Sequence, residues 1–360
     1  MKNTIQVTGI GQCGNRIGQE FENIGADTAY INSDEVDLRG FNVIPSRILM
    51  ISTTGTGGSP LKGKEILEKN MDKYSTFMTA RMDPAKLQLF VVGGGGGTGG
   101  GFICPAVKYA KEKGFKVIVL FTLPPKILGP LAEENALKVL KELKTIESTG
   151  LVLVDNELMG QTVGLGSEWW KKVNQTIASN FKDVFEIIRT GKQSNTGLGS
   201  IDKAEIMRII QAGKGEMDIR TVYLDPADFK KEDDTELKKR LFAPSMIEGY
   251  DYKTTLSYLI SVDVPTKGSY TEEAKRIFTV AQKACGTAMS RPGMFADPML
   301  YGSIKVTMVN TGLKLPKSLQ NRMNSLKKDE VKFKTKLKAE EKYDLGEMGS
   351  GFMSDDSFDF

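Results

Sequence analysis

Glycine is the residue type whose spacing in this sequence most clearly suggests chemistry. The pattern G-I-G-Q-C-G at residues 9–14 lies between a predicted strand and a predicted helix, and a run of eight glycines with Thr98 fills residues 93–101. Bare glycines let backbone N–H groups approach an anion, and a helix N-terminus favours negative charge. The first pattern alone is weak, because G-x-G-x-x-G also occurs in tight turns that bind nothing.

The second glycine run carries more weight because it follows a buried strand, Leu87 to Val92, and precedes a helix. Each ordered glycine costs roughly 0.5–1 kcal/mol relative to alanine, whereas each charge-assisted hydrogen bond to a phosphate contributes about 1.5–3 kcal/mol. The Thr98 hydroxyl can add a donor, and a third loop, G-T-G-G at residues 55–58, ends a neighbouring strand. Three such loops on the carboxyl edge of a parallel sheet predict a nucleotide with a full phosphate tail. There is no G-x-x-x-x-G-K-[ST], so the protein is not a P-loop NTPase.

Composition limits the remaining chemistry. The 360 residues include no histidine, so catalysis must use carboxylates, backbone dipoles, Lys/Arg or a hard cation. Three widely separated cysteines, Cys13, Cys104 and Cys285, predict a reducing cytoplasmic location. The formal charge of +4 is too mild for nucleic-acid binding by the whole surface, and the apolar run Val117 to Leu123 is too short to span a bilayer. We therefore expect no direct contact with nucleic acid or membrane.

The elements that would position these loops alternate between strand and helix through residues 1–166. Apolar strands followed by amphipathic helices predict an α/β fold with a doubly wound, mostly parallel sheet. A long central helix is predicted at 167–190, where Val173, Ile177, Phe181 and Val184 recur at helical spacing. Its wide apolar surface predicts a helix buried between two bodies.

The rest of the chain divides by composition. Residues 191–315 are predicted to form a second, smaller α+β domain. Residues 316–342 are predicted to form a basic C-terminal helix, since 317–342 carry nine Lys/Arg against four Asp/Glu. The basic helix could contribute to contacts between subunits or simply be a solvated face. Residues 343–360 carry five acids and no base, and predict a flexible acidic tail.

Three motifs resemble one family. G-Q-C-G-N-R-I-G at 11–18 resembles the opening loop of tubulins, and G-G-G-T-G-G-G at 95–101 resembles the G-G-G-T-G-[SG]-G signature of tubulin and FtsZ. S-I-D-K-A-E at 200–205 resembles N-x-D-x-x-[DE], the loop that these proteins insert into the next subunit, with Ser200 in place of the asparagine. The chain thus resembles the tubulin/FtsZ superfamily over most of residues 1–312, most closely its plasmid and phage partition type, TubZ.

The resemblance implies a site for GTP or GDP. Asn156 and Asn174 would contact the guanine, although Asn174 could equally be an ordinary polar residue on a helix. Mg²⁺ would be held through phosphates and water, with Gln12 near its water shell and no protein residue as a direct ligand. The other nucleotide contacts that the resemblance implies are Gly11, Cys13, Gly14, Asn32, Gly55, Thr56, Gly57, Gly95, Gly96, Gly97, Thr98, Gly99 and Gly100.

Asp202 and Glu205 are the candidate catalytic residues. They lie three positions apart at a helix start, so both can face the same direction. The resemblance implies that they act on GTP bound to the neighbouring subunit, which would make the enzyme a GTPase that assembles head-to-tail into a filament. Partition proteins of this type link the filament to DNA through a separate centromere-binding adaptor. The alternative is plain helix capping by the same acids, and both roles can coexist.

Two other functions remain open. A dinucleotide-dependent oxidoreductase would explain the first glycine pattern and Asp34, about twenty residues further on, but neither the second glycine run nor the acid pair. Within the filament-forming family, a cell-division role like that of FtsZ is the alternative to DNA partition.

Overall fold

The computed structural model describes residues 5–39, 41, 43–146, 150–164, 168–190, 199–212, 215–229 and 234–326. Met1–Pro316 form one compact unit, and Lys317–Phe360 form a second. Within the second unit, residues 317–326 are helical. The remainder of the predicted basic helix and the predicted acidic tail lie outside the described residues.

One sheet runs through the first unit, with strand order β3-β2-β1-β4-β5-β6-β7-β10-β8-β9. Neighbouring strands from β3 to β7 are parallel, β10 is antiparallel to both β7 and β8, and β8 is parallel to β9. The predicted α/β fold with a mostly parallel sheet is confirmed. The strands are β1 (Ile5–Ile10), β2 (Asp27–Asn32), β3 (Ile48–Met50), β4 (Leu87–Gly93), β5 (Val117–Leu123), β6 (Gly150–Asp155), β7 (Glu216–Leu224), β8 (Ser257–Pro265), β9 (Met289–Asp297) and β10 (Ile304–Leu313).

The helices cover the faces of this sheet. They are α1 (Gly11–Asn23), α2 (Pro60–Lys69), α3 (Met71–Arg81), α4 (Gly97–Glu112), α5 (Gly129–Leu143), α6 (Asn156–Val163), α7 (Trp169–Thr190), α8 (Lys203–Ala212), α9 (Thr235–Leu241) and α10 (Thr271–Cys285). A short 3₁₀ helix, Lys126–Leu128, joins β5 to α5. No helix in the described ranges is both long and apolar enough to cross a membrane.

The glycine clusters differ from the sequence expectation. The sequence places both glycine patterns before the helices that follow them, but α1 starts at Gly11 and α4 at Gly97. The glycines therefore form the first turns of these helices and not only the loops before them.

The central helix α7 is buried as its pattern predicts. Val173, Ile177 and Phe181 are fully buried in a core that includes residues of α1, of α8 and of the strands from β1 to β9 in sheet order. The Phe181 ring packs edge-on against Phe21 of α1, with ring centroids 5.4 Å apart. Because the sheet continues from β6 through β7 into β10, α7 packs on one continuous structure. The division into domains at 1–166 and 191–315 stays a prediction.

Candidate functional site

A cavity of about 790 Å³ opens at the carboxyl ends of β1, β4, β5 and β6. Its walls come from the loops after these strands, from the loop at residues 54–58 and from the first turns of α7. This is the edge at which doubly wound sheets bind ligands, and the volume suits a whole nucleotide.

Two helix N-termini point into the cavity. Gly11 and Gln12 of α1 and residues Gly97 to Gly99 of α4 line it. The residues at the N-cap positions, Ile10 and Gly96, make no side-chain cap, and neither helix has an acid in its first turn. The first N–H groups of both helices therefore lack an intrahelical partner and carry the positive end of the helix dipole. This arrangement can bind phosphate oxygens.

Close packing of backbones requires several of the glycines. A Cβ on Gly97 would lie against the Thr56 hydroxyl and 2.7 Å from the Ser59 nitrogen, and one on Gly101 would lie 2.6 Å from the Lys64 nitrogen. Heavy atoms cannot approach this closely, so glycine is needed where α4 meets α2 and the loop before it. By contrast, a Cβ on Gly96 would meet no protein atom within 4 Å. The glycine run thus packs two helices together as well as lining the cavity.

Polar contacts fix the loops to each other. The Thr98 hydroxyl is 2.6 Å from that of Ser33, and the Gly55 N–H donates to the Ser33 carbonyl at 2.8 Å. Ser33 thereby joins the loop after β2 to α4 and to the loop at 54–58. Thr98 still lines the cavity, but its hydroxyl already has a partner within the protein.

Most of the predicted nucleotide contacts are brought together. Those that line the cavity are Gly11, Gln12, Cys13, Gly55, Thr56, Gly57, Gly95, Gly96, Gly97, Thr98, Gly99, Asn156 and Asn174. Three do not line it. Gly14 packs against the backbone of Val91, and Gly100 packs near the Gly94 carbonyl. Asn32 is fully buried, where its amide donates to Asp37 at 3.2 Å.

The far end of the cavity is polar and aromatic. Asn156 is the first residue of α6, whose N-terminus is capped by Asp155, and Asn174 lies on α7. Trp170, one turn before Asn174, also lines the cavity and stacks on Trp169 with ring centroids 3.8 Å apart. Trp170 was not among the nucleotide contacts predicted from the sequence. The sequence did offer one signal for it, because Trp170 lies four positions before Asn174, a candidate contact to the base.

Charged groups lie along one side of the cavity, where Arg16, Asp34 and Asp37 contribute to its lining. Partial burial raises the pKa of Asp37, and the nearby Asp34 carboxylate adds to this, although the Asn32 hydrogen bond and Arg16 act in the opposite direction. Burial also raises the pKa of the Cys13 thiol, despite its contact with the Thr122 hydroxyl and the charge of Arg16. Cys13 is therefore a neutral thiol at pH 7 and does not repel phosphate.

The described residues contain no group of three or more acidic, cysteine or histidine side chains that could hold a metal ion. The side chains with oxygen atoms that line the cavity include Gln12 and the carboxylates of Asp34 and Asp37. Mg²⁺ commonly keeps several waters and takes one or two carboxylates together with substrate phosphates. These residues therefore fit Mg²⁺ that is bound mainly by a nucleotide.

The candidate catalytic acids are not at this cavity. Asp202 accepts from the Glu205 N–H at 2.8 Å, and the Glu205 carboxylate lies 3.4 Å from the Asp202 N–H, which is a capping box at the start of α8. Glu205 also forms an ion pair with Arg291 of β9 at 2.7 Å. The sequence reasoning missed Arg291, which lies 86 positions after Glu205 and forms no local motif with it.

The first turns of α8 lie at the amino edge of the sheet. They share a surface hollow with Lys116, the residue just before β5, whereas Thr122 near the end of β5 lines the cavity. At about 3.3 Å per residue, the length of β5 separates these positions by roughly 20 Å. Asp202 and Glu205 therefore cannot reach a nucleotide in the cavity of their own chain.

Comparisons with known proteins agree with this geometry. A family model described as the GTPase domain of the Tubulin/FtsZ family matches residues 4–164. The cell division protein FtsZ of Methanothermobacter thermautotrophicus is 26% identical over 321 residues, which cover 87% of this chain and 80% of that protein. The tubulin-like protein CetZ of Pyrococcus horikoshii is 24% identical over 336 residues, covering 88% of this chain and 87% of that protein.

A solved structure shows the same fold. The protofilament of TubZ from Bacillus thuringiensis serovar israelensis matches with a TM-score of 0.75 at 17% identity, covering 92% of this chain and 94% of that one. The resemblance that the glycine motifs predict is confirmed, and these matches favour it over a dinucleotide-dependent oxidoreductase. Residues 4–164 are therefore similar to the GTPase domain of the Tubulin/FtsZ family, and the rest of the chain shares the fold of its solved members.

Proposed function

We propose that this protein binds GTP in the cavity, assembles head-to-tail into a filament, and hydrolyses GTP at the contact between subunits. One observation supports this proposal above all others. The cavity lies at the carboxyl edge of the sheet, while Asp202 and Glu205 lie at the amino edge. The length of β5 separates the two edges by roughly 20 Å. Only the acids of another copy can complete the site.

Different residues of the cavity bind different parts of GTP. The uncapped first turns of α1 and α4 donate backbone N–H groups to the phosphates. The amides of Asn156 and Asn174 can pair with the donors and the O6 acceptor of guanine, and Trp170 offers an aromatic face. Mg²⁺, when bound, would neutralise phosphate charge, with Gln12 and the carboxylates of Asp34 and Asp37 near its water shell.

Hydrolysis needs a water molecule placed in line with the bond from the γ-phosphorus to the bridging oxygen. A carboxylate of Asp202 or Glu205 from the next copy accepts a hydrogen bond from this water and orients its oxygen toward phosphorus. As the new P–O bond forms, the bond to the bridging oxygen breaks and GDP leaves with the electron pair. Positioning of this kind typically accounts for about 10²–10⁴ in rate. Loss of the γ-phosphate weakens the subunit contact, so GTP favours assembly and GDP favours disassembly.

The filament would move plasmid or phage DNA through a DNA-binding adaptor that docks on the acidic C-terminal residues. The sequence 343–360, with five acids and no base, supports this role because it could bind a basic partner. A cell-division role is the second candidate, since the curated relative at 26% identity is named a cell division protein. A coding region beside a small helix-turn-helix protein on an episome would favour partition, and one among cell-wall synthesis genes would favour division.

The test follows phosphate release and light scattering together in purified protein with GTP or GDP. We expect a rate per subunit that rises with protein concentration, and polymer only with GTP. Asp202→Asn isolates the chemistry, because asparagine caps a helix as well as aspartate does but lacks the charge. This variant should bind GTP and assemble, while its turnover falls by about 10²–10⁴.

The exposed acid Asp72 in the first turn of α3 gives a matched control, since Asp72→Asn should leave turnover unchanged. GTP hydrolysis at a rate per subunit independent of concentration would overturn the proposal. Full activity of Asp202→Asn would overturn the catalytic assignment and leave Asp202 as a helix cap.

A further inference from the structure

A buried arginine in β7 does not line the cavity, yet its contacts lead to it. Arg220 is 1% exposed, and its Nε donates to the Asp218 carboxylate at 2.7 Å. A charge buried this deeply is costly unless an opposite charge and hydrogen bonds satisfy it. The remaining bonds of the guanidinium therefore identify the part of the chain that Arg220 stabilises.

The guanidinium of Arg220 binds both ends of one segment, residues 241–252. Near the start of the segment, Nη1 donates to the carbonyl of Leu241 at 3.0 Å and to that of Ala243 at 2.8 Å. At its end, Nη2 donates to the Tyr252 hydroxyl, and the guanidinium carbon lies 5.2 Å from the centroid of the Tyr252 ring. A planar guanidinium can bind several acceptors in fixed directions, which a lysine ammonium does not match.

The segment depends on these bonds for its conformation. Residues 242–251 form neither helix nor strand, so no regular ladder of backbone hydrogen bonds fixes them. Asp218 adds two contacts, because it accepts from the Ser245 hydroxyl at 3.4 Å and from the Tyr252 hydroxyl at 3.0 Å. The Arg220–Asp218 pair therefore fixes the segment near its start, at its middle and at its end.

The middle of this segment is a neighbour of β6. Strand β7 pairs with β6 at Leu151 and Val152, near the start of β6. At the other end of β6, the Asp155 N–H donates to the Met246 carbonyl at 2.7 Å. Met246 is buried, so water does not readily replace this bond. The segment thus fixes the end of β6 at the edge of the sheet where the cavity lies.

The bond from Asp155 lies directly before the candidate guanine contact. The Asp155 side chain caps α6, and Asn156 is the first residue of that helix. Asn156 is buried and lines the cavity. A shift of Met246 would therefore move the Asp155 backbone and, with it, the Asn156 amide.

We propose that Arg220 is a positioning residue for base recognition. Through the 241–252 segment and its bond to Asp155, it places the Asn156 amide against the guanine. The inference rests on the proposed binding of a guanine nucleotide and assigns a further residue to it. Loss of the Arg220 contacts should change which base the cavity prefers more than how tightly it holds the phosphates.

The preference for GDP over ADP measures this role, because the two nucleotides share the sugar and the phosphates and differ in the base. Titration calorimetry of the full chain with each nucleotide gives the preference as a ratio of two dissociation constants. Arg220→Lys keeps the charge beside Asp218 but cannot bind all of the acceptors at once. We expect it to lower the preference about 3–10-fold, as the loss of about one hydrogen bond would, and to leave the affinity for ADP nearly unchanged.

A milder variant gives the answer even if the lysine variant does not fold. Tyr252→Phe removes one hydroxyl and keeps the ring, so it should fold and lower the preference about 2–5-fold. Arg276→Lys is the matched control, because Arg276 also binds a carboxylate, that of Asp234, and a backbone carbonyl, that of Phe229. These contacts join α10 to residues before α9. Arg276→Lys should lower the melting temperature and keep the wild-type preference.

Asn156→Ala separates this inference from the function on which it rests. It should lower the preference for GDP, and adding Arg220→Lys should lower it no further, because both changes act on one contact. If Asn156→Ala lowers the preference, the proposed guanine contact stands. Arg220 is then not a positioning residue if Arg220→Lys and Tyr252→Phe keep the wild-type preference, if Arg276→Lys lowers it as much, or if the double variant loses more than Asn156→Ala. If Asn156→Ala keeps the wild-type preference, the guanine contact itself is wrong and this inference fails with it.

Discussion

Helix N-termini at the two edges of the parallel sheet differ in whether side chains cap them. At the carboxyl edge, α1 and α4 begin at the cavity with no side-chain cap and no acid in the first turn. At the amino edge, α8 begins with Asp202 and Glu205, which cap each other's N–H groups. Every helix start presents unpaired donors. At the amino edge α8 satisfies them with its own carboxylates, and at the carboxyl edge α1 and α4 leave them for a ligand.

Even neighbouring helices at the carboxyl edge show this difference. Asp155 caps α6 by accepting from the Glu157 N–H at 2.9 Å, so Asn156 at the start of α6 contributes a side chain and not a free helix end. The uncapped starts of α1 and α4 lie in the part of the cavity formed by the glycine loops, whereas the uncapped start of α5 lies beside it, after Leu128. We therefore expect the phosphates at the starts of α1 and α4, and the guanine beside Asn156 and Asn174.

The largest expected effect comes from filling an uncapped helix end. Gly96 is the N-cap residue of α4, with the extended φ of −90° and ψ of 157° that capping residues adopt, and a Cβ there meets no protein atom within 4 Å. Gly96→Asp should cap α4 with its own carboxylate and repel phosphate. We expect nucleotide affinity to fall at least about 100-fold, as expected when charge-assisted hydrogen bonds worth about 1.5–3 kcal/mol each are lost, with no loss of thermal stability. Titration calorimetry and thermal unfolding measure the two quantities.

Gly96→Ala is the matched control, because it adds a Cβ without a cap or a charge. It should retain most of the affinity. Nucleotide binding by Gly96→Asp at the wild-type level would show that the uncapped end of α4 is not the phosphate site.

A second prediction combines one variant of each edge. Gly96→Asp has a blocked cavity but intact acids at the amino edge, whereas Asp202→Asn has an intact cavity but lacks one acid. Each variant alone should hydrolyse GTP at less than about one hundredth of the wild-type rate. A mixture should exceed the sum of the two, because the acids of one variant can act on GTP held by the other.

Phosphate release measured at several mixing ratios tests this, with Asp72→Asn in place of Asp202→Asn in a parallel mixture as the reference. An additive result at every ratio would mean that the two edges do not work together between copies.

Local pattern was sufficient for much of the fold. The apolar runs that became β4 and β5 and the α7 stripe, which repeats every three or four residues, predict elements within a few residues of those observed. Strand β7 was missed because charge interrupts its pattern. Asp218 and Arg220 are buried within it and form an ion pair at 2.7 Å. Such residues look like a surface segment until their partners are known.

The site was predicted where chemistry is local and missed where it depends on packing. The glycine runs identified the cavity. Phosphate binding does not explain all of these glycines, because Gly97 and Gly101 are required where α4 meets α2 and its preceding loop. The pairing of Glu205 with Arg291 joins residues far apart in sequence. No periodicity in the sequence could reveal either contact.

A smaller effect concerns the acids at the cavity itself. Because burial and the nearby Asp34 raise the pKa of Asp37, this carboxylate gains a proton at a higher pH than the ordinary value of about 3.9. Without Mg²⁺, ionised Asp37 repels phosphate, so GDP affinity should increase as the pH falls from 7 toward the raised pKa of Asp37. Asp37→Asn should bind GDP about 3–10-fold more tightly than the wild type at pH 7, a change of roughly one interaction between exposed charges, and the two should converge at lower pH.

Stability provides an independent check with a definite sign. A carboxyl group with a raised pKa destabilises the folded state when it is ionised, so Asp37→Asn should be more stable than the wild type at pH 7. The advantage should vanish near pH 4, close to the ordinary pKa of about 3.9. Urea unfolding at both pH values measures it. A variant that is less stable at pH 7 would contradict the assignment.

The smallest effect is expected at the amino edge, where the ion pair of Glu205 with Arg291 is partly exposed, at 25% and 35% of the two side chains. Water and side-chain entropy limit such a pair to less than about 1 kcal/mol, so Arg291→Gln should lower the free energy of unfolding by no more than this. Arg291→Lys keeps the charge and should lose still less. Nucleotide affinity should not change in either variant, because Arg291 is remote from the cavity of its own chain. A loss of several kcal/mol in urea unfolding would mean that this pair is a structural support for α8 and not a weak surface ion pair.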